Sequence, residues 1–470
     1  MKRRDFFRNG TLTALGLSFI NPFTTVNATN VNSNFKNKKA KNIILLVSDG
    51  MSIGTLNMAD LLLQRKMGTS SNWLNLYKEN KVTRALMDTA SASSIVTDSA
   101  AASSSWGGGF RVPNGSINVG VNGESYIPLW QKFKKAGKKV GIVTTVPATH
   151  ATPAGFCINS KSRNAQEKIA EMYLEQHIDV IMGSGNKYFS PEKRDDKKNM
   201  YDAYEKAGYQ VAKNRSQLHN LTNDKPILGV FGEDALPYTV DRDNDTNLSK
   251  LTPTLAEMTQ KAINALKNKP EGFTLLVEAG KVDWAAHGND ISALLYDQIA
   301  FDNAIKVAMD FAEKDDNTLV IITTDHGNAN PGVIYGKKAN DNFDTVQNYK
   351  HSNEWILNGF SNNTNVSQVK ERIDYANDII VTDEEAKSIL RYYDGLNLEN
   401  GVYNPRHLPF EVLANIQKQH NSVGWISMQH SADYVELAMY GPGSELLKPF
   451  IKNTDLHYLM LQATETENSF

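Results

Sequence analysis

In the stretch FTLLVEAGKVDWAAH, residues 273–287, an apolar run ends abruptly on Glu278. A continuous apolar run closed by a carboxylate is the pattern of a strand buried on both faces that emerges from a core. Asp283 and His287 follow four apart, a spacing that sets two side chains on one face of a helix. Taken alone, the fragment favours the plainer reading of an N-capping aspartate and a surface histidine.

The same kind of run recurs in NIILLVSDG (42–50), KKVGIVTTV (138–146), IDVIMGSG (178–185), ILGVFG (227–232) and NTLVIITTDHG (317–327). Between several of them lie stretches with helical periodicity: SYIPLWQKFKKAG, NAQEKIAEMYLEQ, LAEMTQKAINALKN and LLYDQIAFDNAIKVAMDFAEK. Short buried strands alternating with amphipathic helices predict an α/β protein with a doubly wound, mainly parallel central sheet flanked by helices. In such sheets ligands gather beyond the carboxyl ends of the strands. Asp49, Glu278, Asp325 and His326 all stand at such ends. The rhythm breaks at about 328–425, a segment rich in Asn, Asp and Tyr, which reads as a large insertion on the sheet domain, overhanging the site.

With 470 residues, 40% hydrophobic and 22% charged, the chain has a soluble globular composition and can bury a large core. A formal net charge of −2 and the lack of a basic stripe with interleaved aromatics argue against a nucleic-acid partner. Residues 1–28 read as an export signal: a basic start, the short apolar run GTLTALGLSFI, and small residues ending at Ala28. That run falls short of the ~20 residues that cross a bilayer, and no other segment is apolar enough to be a transmembrane span. RRDFFR, residues 3–8, is similar to a twin-arginine signal, although Lys2 stands where Ser or Thr is usual. Residues 29–41 read as a flexible polar leader, and the expected location is exported, periplasmic or secreted. Cys157 is the only cysteine, so no intrachain disulfide forms. Stability then falls to the core and to bound metal.

Asp49, Glu278, Asp283, His287, Asp325, His326 and His430 form a set of ligand-type side chains. Mixed Asp/His ligation suits zinc and oxygen ligation suits magnesium; two Asp/His sets plus a spare Glu suggest more than one metal. TDSAAASSSW, residues 97–106, offers Ser99 at the start of a small-residue helix, where amide donors and the helix dipole suit an anion. Without metals Ser99 reads as a capping residue; beside zinc its hydroxyl becomes a nucleophile for phosphorus. HATPAGFCINSKSR, residues 150–163, adds Thr152 and Arg163, and an arginine fork matches two phosphate oxygens.

These blocks together resemble the alkaline phosphatases: VSDGM, TDSAA, HATPAG with Arg163 eleven places after Thr152, VEAGKVDWAAH, TTDHGN and a late His before YGP, all in family order. The resemblance runs from about residue 42 to 445 apart from the insertion, and it makes 42–470 the catalytic domain. It implies phosphate monoester hydrolysis at alkaline pH through a phosphoserine on Ser99, with Arg163 holding the phosphoryl oxygens. It further implies one Zn2+ on Asp283, His287 and His430, a second Zn2+ on Asp49, Asp325 and His326, and Mg2+ on Asp49, Thr152 and Glu278. Family members are commonly dimers, so a homodimer is expected, with small-molecule phosphate monoesters as substrates. Two positions depart from the best-known bacterial pattern near the substrate: His150 replaces Asp, and Trp284 replaces Lys. The competing readings are a phosphodiesterase of the same superfamily and a non-catalytic exported metal- or phosphate-binding protein. Arg163 and Glu278 favour monoesters, and Ser99 is superfluous in a mere binder.

Overall fold

The computed structural model describes residue 35, residues 37–399 and residues 402–468. The export signal expected at 1–28 and the leader as far as residue 34 lie outside the described residues. The strands of the central sheet are β1 (Asn42–Val47), β2 (Thr83–Met87), β3 (Lys139–Pro147), β4 (Val180–Ser184), β5 (Gln210–Ala212), β6 (Ile227–Val230), β7 (Phe273–Glu278), β8 (Thr318–Thr323), β9 (Val435–Tyr440) and β10 (Phe450–Ile451). Their order across the sheet is β10-β2-β9-β8-β1-β7-β3-β4-β6-β5. Neighbours run parallel except at β9, which is antiparallel to both β2 and β8. The expected α/β sheet is therefore present, mixed only towards one edge.

The reason for the continuous apolar runs is visible at β1. Ile44 and Leu46 enter one core, while Ile43, Leu45 and Val47 enter the other, on the opposite face. Each such side chain contributes ~1.5–3 kcal/mol when fully buried, which makes a solvent-facing register untenable. Helices Leu255–Leu266 and Ile291–Asp315 pack on the first face; helices Leu129–Lys135, Ala151–Cys157 and Asp455–Thr464 pack on the second. TRALM of β2 did not read as a strand from sequence, because Arg84 and Leu86 are exposed and only alternate residues are buried.

After β8 the chain makes the short strand Gly327–Asn328, runs through helices such as Asn353–Asn358, Val366–Asn377 and Phe410–Asn421, and returns at His430–Ser431. The two short strands pair antiparallel, His430 opposite Asn328. Phe343, Ile356, Ile373 and Leu413 of the intervening segment belong to the same core as helix Ile291–Asp315. Among the described residues, the segment has no separate core.

Candidate active site

β8, β1, β7 and β3 lie side by side and parallel, with Val47 level with both Thr323 and Glu278, and Glu278 level with Thr144. Their carboxyl ends therefore deliver Asp49, Glu278, Asp325 and His326 to one place. Three groups of ligand atoms result, each within 4.8 Å: Asp283, His287 and His430; Asp49, Asp325 and His326; and Asp49, His150 and Glu278. Asp49 belongs to two of them and is fully buried. The close approach depends on Gly50, whose φ of +68° suits glycine and whose added Cβ would lie 2.4 Å from Asp283 Oδ1.

In the first group, Asp283 and His287 lie on helix Lys281–His287 and His430 comes from the returning strand. His287 Nδ1 donates to the Met428 carbonyl at 2.7 Å, and His430 Nδ1 donates to the Thr97 carbonyl at 2.9 Å. Both Nε2 atoms are thereby left to face each other at 3.1 Å. Two imidazole lone pairs at that distance require a proton or a cation between them. Burial pulls His430 down, but the hydrogen bond and charge of Asp283 outweigh it and push it up to about 9. Burial likewise raises Asp283, yet the two histidines hold it well below the usual carboxylate range.

The second group is sealed. Asp49, Asp325 and His326 are buried, and Asp325 Oδ2, 3.2 Å from His326 Nε2, accepts no hydrogen bond among the described residues. Burial and the charges of Asp325, Asp283 and Glu278 drive Asp49 well above its ordinary value. Burial also lowers His326. So many carboxylates in one dry place, with an orphan oxygen, fit a resident cation.

In the third group, burial would raise Glu278, but the His150 imidazole beside it brings it below its ordinary value. Thr144 Oγ1 donates to Glu278 Oε2 at 2.5 Å, and His150 Nδ1 lies 3.1 Å from Glu278 Oε1. Thr152 is buried, with Oγ1 3.5 Å from Asp49 Oδ2.

Ser99 is the first residue of helix Ser99–Gly107 and is buried. Its Oγ lies 3.5 Å from Asp49 Oδ1 and 3.4 Å from His326 Nε2. Asp98, not Ser99, caps the helix by accepting from Ala101 N, an arrangement that stabilises a helix start by ~1 kcal/mol. The small residues serve packing as well: a Cβ on Gly107 would fall 1.9 Å from the Gly155 carbonyl, so the helix lies tight against Ala151–Cys157. Arg163 donates from Nη1 to Asp98 Oδ2 at 3.0 Å and from Nη2 to His150 Nε2 at 3.0 Å.

Every site residue expected from sequence other than Trp284 thus shares this network. Trp284 is half-buried on helix Lys281–His287, packed against the core, with Lys281 Nζ 5.1 Å from its ring centroid. Sequence reasoning missed three residues. Asp98 caps the helix and anchors Arg163; its place before Ser99 in TDSA is a recognisable cap signal. Thr144 orients Glu278, and no spacing announces it. Asn328 is fully buried and donates from Nδ2 to Asp283 Oδ1 at 2.7 Å, with its own Oδ1 unpartnered.

A family model described as alkaline phosphatase matches residues 40–466. Alkaline phosphatase 4 of Bacillus subtilis is 30% identical over 434 residues, covering 91% of this chain and 89% of that protein. The crystal structure of Thermus thermophilus alkaline phosphatase superposes with a TM-score of 0.84 at 30% identity, covering 94% of this chain and 96% of that one. A cold-active alkaline phosphatase from a psychrophilic Shewanella gives a TM-score of 0.75 at 26% identity, covering 90% and 99%.

Proposed function

The chain belongs to the alkaline phosphatase family and hydrolyses phosphate monoesters, and on that premise we propose that Ser99 is its nucleophile. The observation that carries this reading is the buried Ser99 Oγ, 3.4 Å from His326 Nε2 and 3.5 Å from Asp49 Oδ1, at the positive end of a helix. Ser99 Oγ attacks phosphorus and displaces the alcohol; water then cleaves the phosphoserine to inorganic phosphate. Arg163, braced by Asp98, offers its fork to two phosphoryl oxygens. Membership of a metal-dependent family and the three ligand groups support bound metal ions. We assign Zn2+ to Asp283, His287 and His430, a second Zn2+ to Asp49, Asp325 and His326, and Mg2+ to Asp49, Thr152 and Glu278. When bound, such cations supply positive charge that favours deprotonated oxygen nucleophiles and an alkoxide leaving group.

No helix among the described residues is long and apolar enough to cross a membrane. Export through the signal at 1–28, a homodimer, and an insertion at 328–425 within a 42–470 catalytic domain complete the reading. Ser99→Ala tests its centre: turnover should fall by at least ~10³-fold with the metals still bound, and a phosphoenzyme should be trapped at acidic pH only in the parent. Retention of full activity overturns the serine mechanism.

A further inference from the structure

A second concave site lies at the other end of the sheet. A cavity of about 640 Å3 sits where β1, β3 and β7 begin, whereas the ligand groups stand where those strands end. The six residues of β1 put about 20 Å between the two. Five lysines line the cavity: Lys39, Lys41, Lys132, Lys135 and Lys138. Lys41 immediately precedes β1, Lys138 immediately precedes β3, and Lys132 and Lys135 belong to helix Leu129–Lys135. Glu271, Glu465 and Glu467 line it too; the first is paired with Lys269 at 3.5 Å and the second with Lys39 at 3.4 Å.

Lysines are rarely buried, yet Lys132 and Lys138 are each only 8% exposed. Lys138 Nζ donates to the carbonyls of Lys41 and Glu271, both at 2.7 Å. Lys132 Nζ donates to His457 Nε2 at 3.0 Å and to Asn468 Oδ1 at 2.5 Å. His457 Nδ1 donates in turn to the Trp106 carbonyl at 2.8 Å, which fixes Nε2 as the acceptor. Burial and the Lys132 charge hold His457 down at about 4, so its ring is neutral. All these acceptors are therefore uncharged, and an ammonium with three N–H donors keeps one in reserve at each lysine. Burial and the charges of Lys39 and Lys41 outweigh Glu271 and pull Lys138 down to about 8. Folding has gathered like charges in a hollow, at an electrostatic cost that a bound anion removes. We propose that this cavity is a second anion site, which takes a divalent phosphate-type oxyanion on Lys41, Lys132 and Lys138. Lysine binds phosphate as a point charge, and the two buried ammoniums are anchored before the anion arrives. Far from Ser99, the site holds its ligand without turning it over.

The test is site-resolved acetylation of the metal-loaded enzyme at about pH 8, where Lys138 is half deprotonated. Inorganic phosphate is the probe, and sodium chloride holds the ionic strength constant. Modified peptides are quantified by mass spectrometry against Lys306, an exposed lysine on helix Ile291–Asp315. With a Kd of about 1 mM, about 10 mM phosphate should slow acetylation of Lys41 and Lys138 about tenfold and leave Lys306 unchanged. Lys41→Gln alters only an exposed side chain, and there the protection of Lys138 should drop to about threefold or less. Phosphate held by Arg163 does not confound the result, because protection is read at the lysines themselves. Equal slowing at Lys306, or no slowing at Lys138 up to about 50 mM phosphate, overturns the proposal. So does full protection of Lys138 in Lys41→Gln.

Discussion

Arg163 Nη2 and His150 Nε2 lie 3.0 Å apart, and the other ring nitrogen of His150 lies 3.1 Å from Glu278 Oε1. Arginine can only donate, so Nε2 accepts and Nδ1 carries the proton that Glu278 receives. The candidate phosphate-binding arginine is thus wired through one imidazole to the third ligand group. His150→Ala should raise the inorganic phosphate inhibition constant and lower third-site metal affinity together, each about tenfold. His150→Asp should restore an Arg163 partner and replace the imidazole beside the third group with carboxylate oxygen, shifting its preference towards magnesium. Inhibition constants and elemental analysis check both; movement of one quantity without the other breaks the proposed coupling.

Trp284 stands on the same short helix as Asp283 and His287 but packs its ring towards the core. A lysine there would add a cation near a dianionic product, and Trp284→Lys should tighten phosphate inhibition about fivefold at low ionic strength. Where product release limits turnover, kcat should fall in step. Unchanged or weaker inhibition would mean that position 284 does not face the phosphate.

Asn328 holds Asp283 Oδ1 while its strand partner is His430, so one residue organises two members of the same ligand group. Asn328→Leu should cost that group 10- to 100-fold in metal affinity, as loss of an orienting hydrogen bond typically does. The Asp49, Asp325 and His326 group should keep its metal. Chelator competition on the purified variant reads the difference without relying on activity.

Metal loading of the Asp283 group should be strongly pH-dependent. With His430 pushed up to about 9, a cation must displace a proton below that pH. Apparent affinity should therefore rise about tenfold per pH unit up to about 9 and level off above it. The stability of the chelated protein runs the other way. A histidine raised in the folded state stabilises fully below about 6.5, and that gain, about 3 kcal/mol at most, is lost as pH rises through 9. Loaded protein gains about 4 kcal/mol at a thousandfold excess of metal over Kd. The Tm gap between loaded and chelated protein should thus widen from pH 6.5 to 9, and a gap that narrows would refute the assignment.

Much of this architecture was legible because it depends on burial. NIILLV, FTLLVE and TLVIIT are buried along their whole length, so unbroken hydrophobicity marks them as inner strands. Their carboxyl ends then locate Asp49, Glu278 and Asp325 without further information. TRALM was illegible since one of its faces meets solvent, and a charged residue among apolar ones reads as a loop. Thr144 and Asn328 escaped for another reason. Each acts through a partner more than forty places away in sequence, and neither type of residue signals a site by itself.

The pairing of His430 with Asn328 carries a kinetic consequence. His287 and His430 are 143 positions apart, and the chain between them must be laid down before their Nε2 atoms can meet. Closure of so long a loop comes late in folding, because its entropy is lost before the contact repays it. The Asp283 group is therefore a reporter of completed folding, and metal capture there should coincide with the slowest refolding phase. A chain cut short before residue 430 would lose β9, β10 and helix Asp455–Thr464 along with the histidine that completes that ligand group.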